Sequence, residues 1–255
     1  MTEREHKGDV AWVVGASSGI GRALALRLAD DGYVVAVSAR SEDALAELAG
    51  ERSLGRIVAV PLDVTKPETV TEAQRWIEDA VGPVALCVLC AGTHKEVSAQ
   101  DFDAAIFRNL IDVNLMGSVH GLAAILPAMI GRGSGHIAVV SSVAGYRGLP
   151  TAAAYGATKA SLINMCEALA FDLHGTGVRL QLVNPGFVDT PLTRRNSFPM
   201  PFLMTVEDAA ERIHRGLRSR KFEIAFPRRF TLWLKLMRIL PYALYFPILR
   251  RATGG

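Results

Sequence analysis

Seven short apolar runs, separated by longer helical patterns, constrain the fold of this chain more than any other feature. The runs cover residues 10–14, 34–39, 57–62, 84–90, 136–140, 179–183 and 222–226. They are almost continuously apolar rather than alternating, which is typical of strands that are covered on both faces. Alternation of strand and helix predicts a parallel sheet, and right-handed crossovers place helices on both of its faces. We therefore expect a doubly wound α/β domain.

The 255-residue chain is long enough for one core and shows no internal repeat or low-complexity linker. We divide it into a domain at residues 1–227, with a substrate lid at about 187–205, and a basic amphipathic extension at 228–255. Pro67 is expected to begin a helix. Residues 101–130 carry a helical pattern, which Pro127 is expected to kink or to end early.

The three cysteines indicate buried thiols rather than disulfides. Cys87 and Cys90 form a Cys-x-x-Cys spacing, but in a strand two positions three apart point to opposite faces. Together with Cys166 they lie in apolar surroundings, and no secretory stretch opens the chain. We expect a reducing, cytoplasmic location and no metal site.

The net charge of +3 hides an asymmetry between the body and the end of the chain. Residues 218–255 hold nine basic residues and one acid, a charge of +8, which leaves −5 on the first 217 residues. Nucleic-acid binding is disfavoured because these basic residues are confined to an apolar tail. The tail is the candidate for contact with an anionic surface.

Two interpretations of residues 228–251 stay open. Charges and two prolines, Pro241 and Pro247, interrupt the segment, so it does not meet the criterion of about 20 apolar residues for a spanning helix. A basic amphipathic segment with Trp and Tyr fits an anionic membrane surface, which would place the protein peripherally on the inner membrane face. The alternative is a helix that docks on the body or on a neighbouring subunit.

A glycine-rich turn follows the first run and opens a helical pattern. Its glycines allow a tight turn and the close approach of a pyrophosphate, while the helix N-terminus offers free N–H groups. This strand-turn-helix context favours a Rossmann-type dinucleotide site. The residues expected at the cofactor are Gly15, Ser17, Ser18, Gly19, Ile20 and Gly21.

The end of the second run indicates which cofactor is bound. A site for NAD usually places a carboxylate there to hold the ribose 2′-hydroxyl. Here Arg40 and Ser41 follow instead, and a guanidinium suits a 2′-phosphate. We expect NADP(H) rather than NAD(H), against the alternative of a solvated surface arginine. Asp63 follows the third run, and one interpretation of this carboxylate is a helix cap or a turn residue.

Tyr155 and Lys159 are four positions apart in a helical pattern and therefore share one face. An ammonium near a phenol lowers its pKa, so this tyrosine is a candidate general acid or base. Ser142 ends the fifth run, thirteen positions earlier, where its hydroxyl can reach the same substrate oxygen. Asn114 is an awkward polar residue in a good helix.

These residues, with Ala91-Gly92 after the fourth run and the segment 185–190 after the sixth, resemble the short-chain dehydrogenase/reductase family over residues 9–226. The resemblance implies that Tyr155 exchanges the proton and that Ser142 polarises the carbonyl. Lys159 would bind the nicotinamide ribose and acidify the phenol. Asn114 would hold a water in a proton relay.

The resemblance also assigns cofactor contacts beyond the glycine turn. Asp63 with Val64 would meet the adenine, and Ala91 with Gly92 the ribose side. The nicotinamide end would be met by Pro185, Gly186, Val188 and Thr190. Two departures remove hydrogen-bonding side chains that brace these loops in the family: Val14 stands in place of Thr, and Leu89-Cys90 in place of an Asn pair.

The expected reaction interconverts a carbonyl and an alcohol. Apolar residues in the lid favour an apolar substrate, although packing of the lid on the tail is an equal alternative. The apolar residues concerned are Leu192, Phe198, Met200, Phe202 and Leu203 in the lid, with Tyr146 and Leu149 on the opposite wall. Long apolar helices at 106–130 and 152–171 suggest a homodimer or homotetramer. The competing hypothesis is a non-catalytic NADP(H)-binding regulator or scaffold, attached to a membrane through the tail.

Overall fold

The computed structural model describes residues 6, 8–51, 57–196, 198 and 200–253. In these residues one parallel sheet of seven strands has the order β3-β2-β1-β4-β5-β6-β7, which confirms the predicted fold class. All seven predicted runs contribute a strand. The strands are β1 (Val10–Val14), β2 (Val34–Ser38), β3 (Ile57–Ala59), β4 (Val84–Leu89), β5 (Gly135–Val140), β6 (Val178–Pro185) and β7 (Glu223–Phe226).

Helices cover both faces of the sheet. They are α1 (Gly19–Asp30), α2 (Glu42–Gly50), α3 (Pro67–Ala80), α4 (Ala104–Leu110), α5 (Gly117–Gly131), α6 (Ala153–Asp172), α7 (Val206–Leu217), α8 (Arg228–Ile239) and α9 (Tyr242–Thr253). Trp12 of β1 points into a core formed with α3, α5, α6 and α8, whereas Val13 points into the core beneath α1, α2 and α7. This alternation within a fully buried strand explains its continuous apolar run.

The pattern predicted over residues 101–130 forms one helical stretch from Ala104 to Gly131. A π-helical segment, Ile111–Met116, interrupts it, and Asp103 caps its start by accepting from the N–H of Ala105. Pro127 does not end α5. It lies on the exposed side, where water can reach the carbonyl whose helical hydrogen bond is lost.

The Ala104–Gly131 stretch is long and apolar enough to cross a membrane, judged by length and composition alone. In this fold it packs against the sheet instead. A Cβ added to Gly121 would lie 2.5 Å from Leu89 of β4, so the helix and the strand are in close contact. We therefore interpret the stretch as a core helix.

The last two helices dock on the body through one apolar face. Phe230, Leu234 and Met237 of α8 are buried, as are Tyr245 and Leu249 of α9. The chain turns between the helices at Pro241, whereas Pro247 lies within α9. Of the two interpretations of residues 228–251, docking on the body of the protein therefore holds for this inner face.

Candidate active site

A cavity of about 340 Å³ lies at the carboxyl ends of the strands, where a doubly wound sheet binds its ligands. Most of the predicted site residues line it: Gly15, Ser17, Ser18, Gly19, Ile20, Gly21, Arg40, Ser41, Val64, Ala91, Gly92, Ser142, Tyr155, Lys159, Pro185, Gly186, Val188 and Thr190. Asp63 and Asn114 are not among the lining residues. The cavity is also lined by Leu192 of the predicted lid and by residues that we did not predict: Ala39, Leu62, Cys90, Val113, Val140, Ser141, Pro191 and Thr193.

The glycine turn forms a tight cradle between β1 and α1. Gly15 has φ +93°, and a Cβ there would lie 2.5 Å from the main-chain nitrogen of Ala91. A Cβ on Gly21 would lie 2.2 Å from the carbonyl oxygen of Gly15. Ser18 makes no side-chain capping bond at the start of α1, so the first N–H groups of the helix can bind a phosphate. This geometry fits a dinucleotide.

Arg40 lies exposed directly after β2 and lines the cavity. The Ser41 hydroxyl caps α2 by accepting from Ala44 N at 3.3 Å, which leaves its own proton free to be donated. A guanidinium and a hydroxyl therefore stand where an NAD site usually has a carboxylate.

Asp63 serves the turn after β3. Its Oδ1 accepts hydrogen bonds from the N–H of Thr65 at 3.0 Å and from the Thr65 hydroxyl at 2.8 Å. Burial raises the pKa of Asp63, but these bonds and the charges of Arg40 and Lys66 hold it below its usual value. Asp63 therefore braces this turn through Oδ1, beside a cavity wall formed by Val64.

Tyr155 and Lys159 project from the first turns of α6 toward the ends of β4 and β5. Lys159 is buried, with Nζ 5.7 Å from the Tyr155 ring centroid, and it donates to the carbonyl oxygen of Val140 at 3.0 Å. Ser142 follows β5 and accepts a hydrogen bond from the N–H of Ala144 at 3.1 Å. One cavity wall thus presents a phenol, an ammonium and a hydroxyl.

The pKa values of this pair differ from the expectation. Burial raises the pKa of Tyr155 to about 12, although the hydrogen bond with Ser142 opposes the rise. Burial also lowers the pKa of Lys159 to about 8. The expected lowering of the Tyr155 pKa by Lys159 is therefore not seen in this structure, where the loss of water around Tyr155 is the largest effect. The phenol is protonated at neutral pH and suited to donate a proton.

Asn114 lies in the π-helical segment and is fully buried. Its Oδ1 accepts from the N–H of Thr93 at 2.7 Å, and its Nδ2 donates to the Thr93 carbonyl at 2.9 Å and to Thr158 Oγ1 at 3.2 Å. Asn114 therefore braces the loop after β4. The N–H of Cys90 also donates to the Val14 carbonyl at 2.8 Å. These bonds support the loops in which Val14 and Leu89-Cys90 depart from the family pattern.

Free thiols are found at all three cysteines. Cys87 is buried in the core, as predicted. Cys90 is only partly buried and lines the cavity. No group of three or more His, Cys, Asp or Glu side chains among the described residues could hold a metal ion.

The predicted lid contributes Leu192 to the cavity, but its aromatic rings pack elsewhere. Phe187 contacts Phe198 and Phe230, and Phe202 also contacts Phe230, with ring centroids 5.7–5.9 Å apart. Of the two alternatives for the lid, packing on the tail is therefore what its aromatic rings do, whereas Leu192 lines the cavity. Met200 is partly buried near Asn196, and Leu203 is exposed.

The opposite wall was predicted wrongly. Tyr146 is buried and donates a hydrogen bond to Glu223, and Leu149 packs with Met237 and Tyr245. Neither residue lines the cavity, because α8 and α9 cover them. The position of these helices over that wall depends on long-range packing, which no local sequence pattern reveals.

His94 is a candidate substrate contact that the sequence analysis missed. Its ring packs edge-on against Tyr155, with centroids 4.8 Å apart. Its Nδ1 is buried, and the ring lies beside the side chain of Asn196. Burial lowers the pKa of His94, so the ring is neutral at pH 7. A lone histidine in an irregular segment carries no periodic signal that would have identified it.

Comparison with known proteins identifies the family of this chain. A family model described as short chain dehydrogenase matches residues 9–199. The chain belongs to the short-chain dehydrogenase family. An uncharacterized oxidoreductase of Myxococcus xanthus is 40% identical over 253 residues, which are 98% of this chain and 99% of that protein. An uncharacterized oxidoreductase of Staphylococcus epidermidis is 36% identical over 75% of this chain and 83% of its own.

A solved short-chain dehydrogenase/reductase from Burkholderia phymatum, in complex with NAD, has a TM-score of 0.84 and 25% identity. The match covers 91% of this chain and 94% of that one. This short-chain dehydrogenase is therefore an oxidoreductase of a family that binds a nicotinamide cofactor.

Proposed function

We propose that this short-chain dehydrogenase is an NADP(H)-dependent enzyme that interconverts a carbonyl and an alcohol. The observation that carries the proposal is the meeting of Tyr155, Lys159 and Ser142 on the wall of a cavity that also contains the glycine cradle. A non-catalytic scaffold would need the cradle but not these three side chains. The alternative of a regulator is therefore not favoured.

The proposed mechanism assigns one task to each side chain. The Ser142 hydroxyl hydrogen-bonds the substrate oxygen, and Tyr155 donates its proton to that oxygen as negative charge develops. Lys159 binds the hydroxyls of the nicotinamide ribose, and Asn114 supports a proton relay from the solvent. The nicotinamide supplies the hydride when it is bound. Tyr155 is protonated at neutral pH and can therefore act as the proton donor when a carbonyl is reduced.

The preference for NADP(H) rests on the chemistry at the end of β2. Arg40 and Ser41 line the cavity there and would bind the 2′-phosphate through charge-assisted hydrogen bonds. No carboxylate stands at this strand end to favour the 2′-hydroxyl of NAD(H). The remaining cofactor contacts proposed are those named from the sequence, with Asp63 and Val64 at the adenine.

The proposed substrate is mainly apolar with one further polar group. Leu192 and Val113 contribute apolar surface to the cavity. The His94 ring packs edge-on against Tyr155 and is the proposed contact for the polar group.

We further propose a cytoplasmic homodimer or homotetramer that associates through the long helices. Phe171, on α6, is 82% exposed, and Ile130, on α5, is 45% exposed. Large apolar side chains that face outward on neighbouring helices are typical of subunit contacts. The free thiols are consistent with a reducing compartment.

The reaction class is tested by following NADPH oxidation with ketones and aldehydes of graded chain length. We expect turnover that rises with chain length and then levels off as the cavity fills. Absence of turnover with every carbonyl, with NADPH bound and the protein folded, would contradict the proposed reaction.

A further inference from the structure

The outer face of α8 and α9 is apolar although the inner face already docks on the body. Ile239 is 76% exposed, Leu232 71% and Tyr242 69%. We define the outer face by its exposed large apolar residues: Leu232, Trp233, Leu236, Ile239, Tyr242, Leu244, Phe246 and Ile248. Two adjacent helices thus present eight such side chains, a density that soluble surfaces rarely show.

Basic side chains surround this outer face. The sequence contains no Asp or Glu after Glu223, so α8 and α9 have no acidic residue. Lys235 is directed to the body, where it pairs with Glu223. The exposed basic residues of the two helices are Arg228, Arg229, Arg238, Arg250 and Arg251. The outer face therefore combines apolar surface with a wholly positive charge.

The body holds the two helices in a fixed arrangement. Arg147 donates to the carbonyl oxygens of residues 237, 238 and 240 at 2.6–3.1 Å, which satisfies the C-terminal end of α8. Its guanidinium also lies over the rings of Tyr242 and Tyr245, 4.8 and 3.9 Å from their centroids. The Tyr245 hydroxyl donates to the Gly148 carbonyl. Binding through the outer face would therefore require little reordering of the helices.

We propose that the outer face binds the surface of a membrane that contains anionic phospholipids. Apolar side chains would enter the boundary of the acyl chains, Trp233 and Tyr242 would lie at headgroup level, and the arginines would meet the phosphates. A second copy of this chain is a poorer occupant, because two positive faces would repel each other. Nucleic acid would leave the apolar side chains exposed to water.

The position of the outer face also suggests how a substrate enters. Phe230, on the inner side of α8, contacts Phe187 and Phe202 of the lid. A bound membrane would therefore lie beside the lid, where a lipid-soluble substrate could pass into the cavity. This consequence rests on the proposed function, whereas binding to vesicles does not.

The test is co-sedimentation of the full-length protein with vesicles of phosphatidylcholine, with or without 30% phosphatidylglycerol. We expect binding to the anionic vesicles that weakens as salt rises, and at least tenfold weaker binding to pure phosphatidylcholine. The double variant Leu232→Ser with Ile239→Ser should lose at least tenfold in affinity. Trp76→Ser, which removes a half-exposed tryptophan from α3, is the matched control and should bind like the wild type.

A second variant tests the charge separately. Arg250→Gln with Arg251→Gln should weaken binding to anionic vesicles by about thirtyfold, since each of the two basic residues near such a surface contributes roughly 1 kcal/mol. Arg75→Gln, an exposed arginine on α3, should have no effect. The proposal is overturned if the wild type does not bind anionic vesicles. It is equally overturned if both tail variants bind vesicles like the wild type. The same holds if Leu232→Ser with Ile239→Ser dissociates an oligomer but leaves vesicle binding unchanged.

Discussion

Lys159 Nζ donates a hydrogen bond of 3.0 Å to the main-chain carbonyl oxygen of Val140, two residues before Ser142. The ammonium is thereby tied to the end of β5, close to the Ser142 hydroxyl that we propose polarises the substrate carbonyl. A Cβ on Gly92 would lie 3.7 Å from the same Nζ, so the loop after β4 also closes on this lysine. Burial in this crowded position lowers the pKa of Lys159 to about 8.

The affinity for NADPH should therefore fall as the pH rises through about 8. Lys159 carries its charge below its pKa, so the ammonium fraction drops from about nine-tenths at pH 7 to about one-tenth at pH 9. We expect the Kd for NADPH, measured by fluorescence titration, to rise fivefold to tenfold over this range. Lys159→Met should bind weakly at both pH values. An equal rise in the variant would contradict the assignment to Lys159.

Arg40 should decide the choice between NADPH and NADH. Arg40→Gln removes the charge expected at the 2′-phosphate, and a hydrogen bond to a charged group is worth about 1.5–3 kcal/mol. We expect the KM for NADPH to rise at least tenfold while the KM for NADH changes less than twofold. Arg75→Gln serves as the control on an unrelated surface. Steady-state rates that favour NADH in the wild type would refute the NADP(H) preference.

Gly15 should tolerate no side chain, for two reasons that can be separated. Its φ of +93° matches that of Gly8 at +94°, but only at Gly15 would a Cβ meet main-chain atoms, at 2.5–2.8 Å. We expect Gly8→Ala to lower the free energy of unfolding by about 1 kcal/mol and Gly15→Ala by at least about 2 kcal/mol more. Urea unfolding measures both. Equal losses of unfolding free energy in Gly8→Ala and Gly15→Ala would show that the close approach of Gly15 to the loop after β4 is unimportant.

Phe171 should contribute to the proposed subunit contact. Phe171→Glu places a charge on the most exposed apolar side chain of α6 and should shift a dimer or tetramer toward smaller species in light scattering. Phe102→Glu, at a 63% exposed phenylalanine before α4, should leave the mass unchanged. A monomeric wild type at micromolar concentration would rule out this contact.

The sheet was predictable because its strands are covered on both faces. Trp12 and Val13 point into different cores, so the run that contains them is apolar throughout and visible in the sequence. The glycine cradle and the Tyr155–Lys159 pair could be located because their spacing depends only on local geometry. The strand boundaries were less certain, as the third run shows by ending at Ala59 rather than at residue 62.

The failed predictions depended on long-range packing. Tyr146 could not be placed from the sequence, because its position is set by Glu223 and by α8, about 80–90 residues further along the chain. The pKa of Tyr155 depends on how completely water is excluded, which its spacing from Lys159 does not reveal. His94 reaches the site through an irregular loop and therefore lacks any repeat in the sequence.

We propose that the Tyr155 phenol delivers the proton to the substrate oxygen, and the variant Tyr155→Phe removes that proton without changing the shape of the ring. With saturating NADPH and a carbonyl substrate, we expect kcat to fall at least hundredfold, since a positioned general acid contributes about 10²–10⁴-fold. The Kd for NADPH should stay within twofold of the wild-type value, which shows that the site is intact. A kcat within threefold of the wild type, with NADPH still bound, would contradict the account.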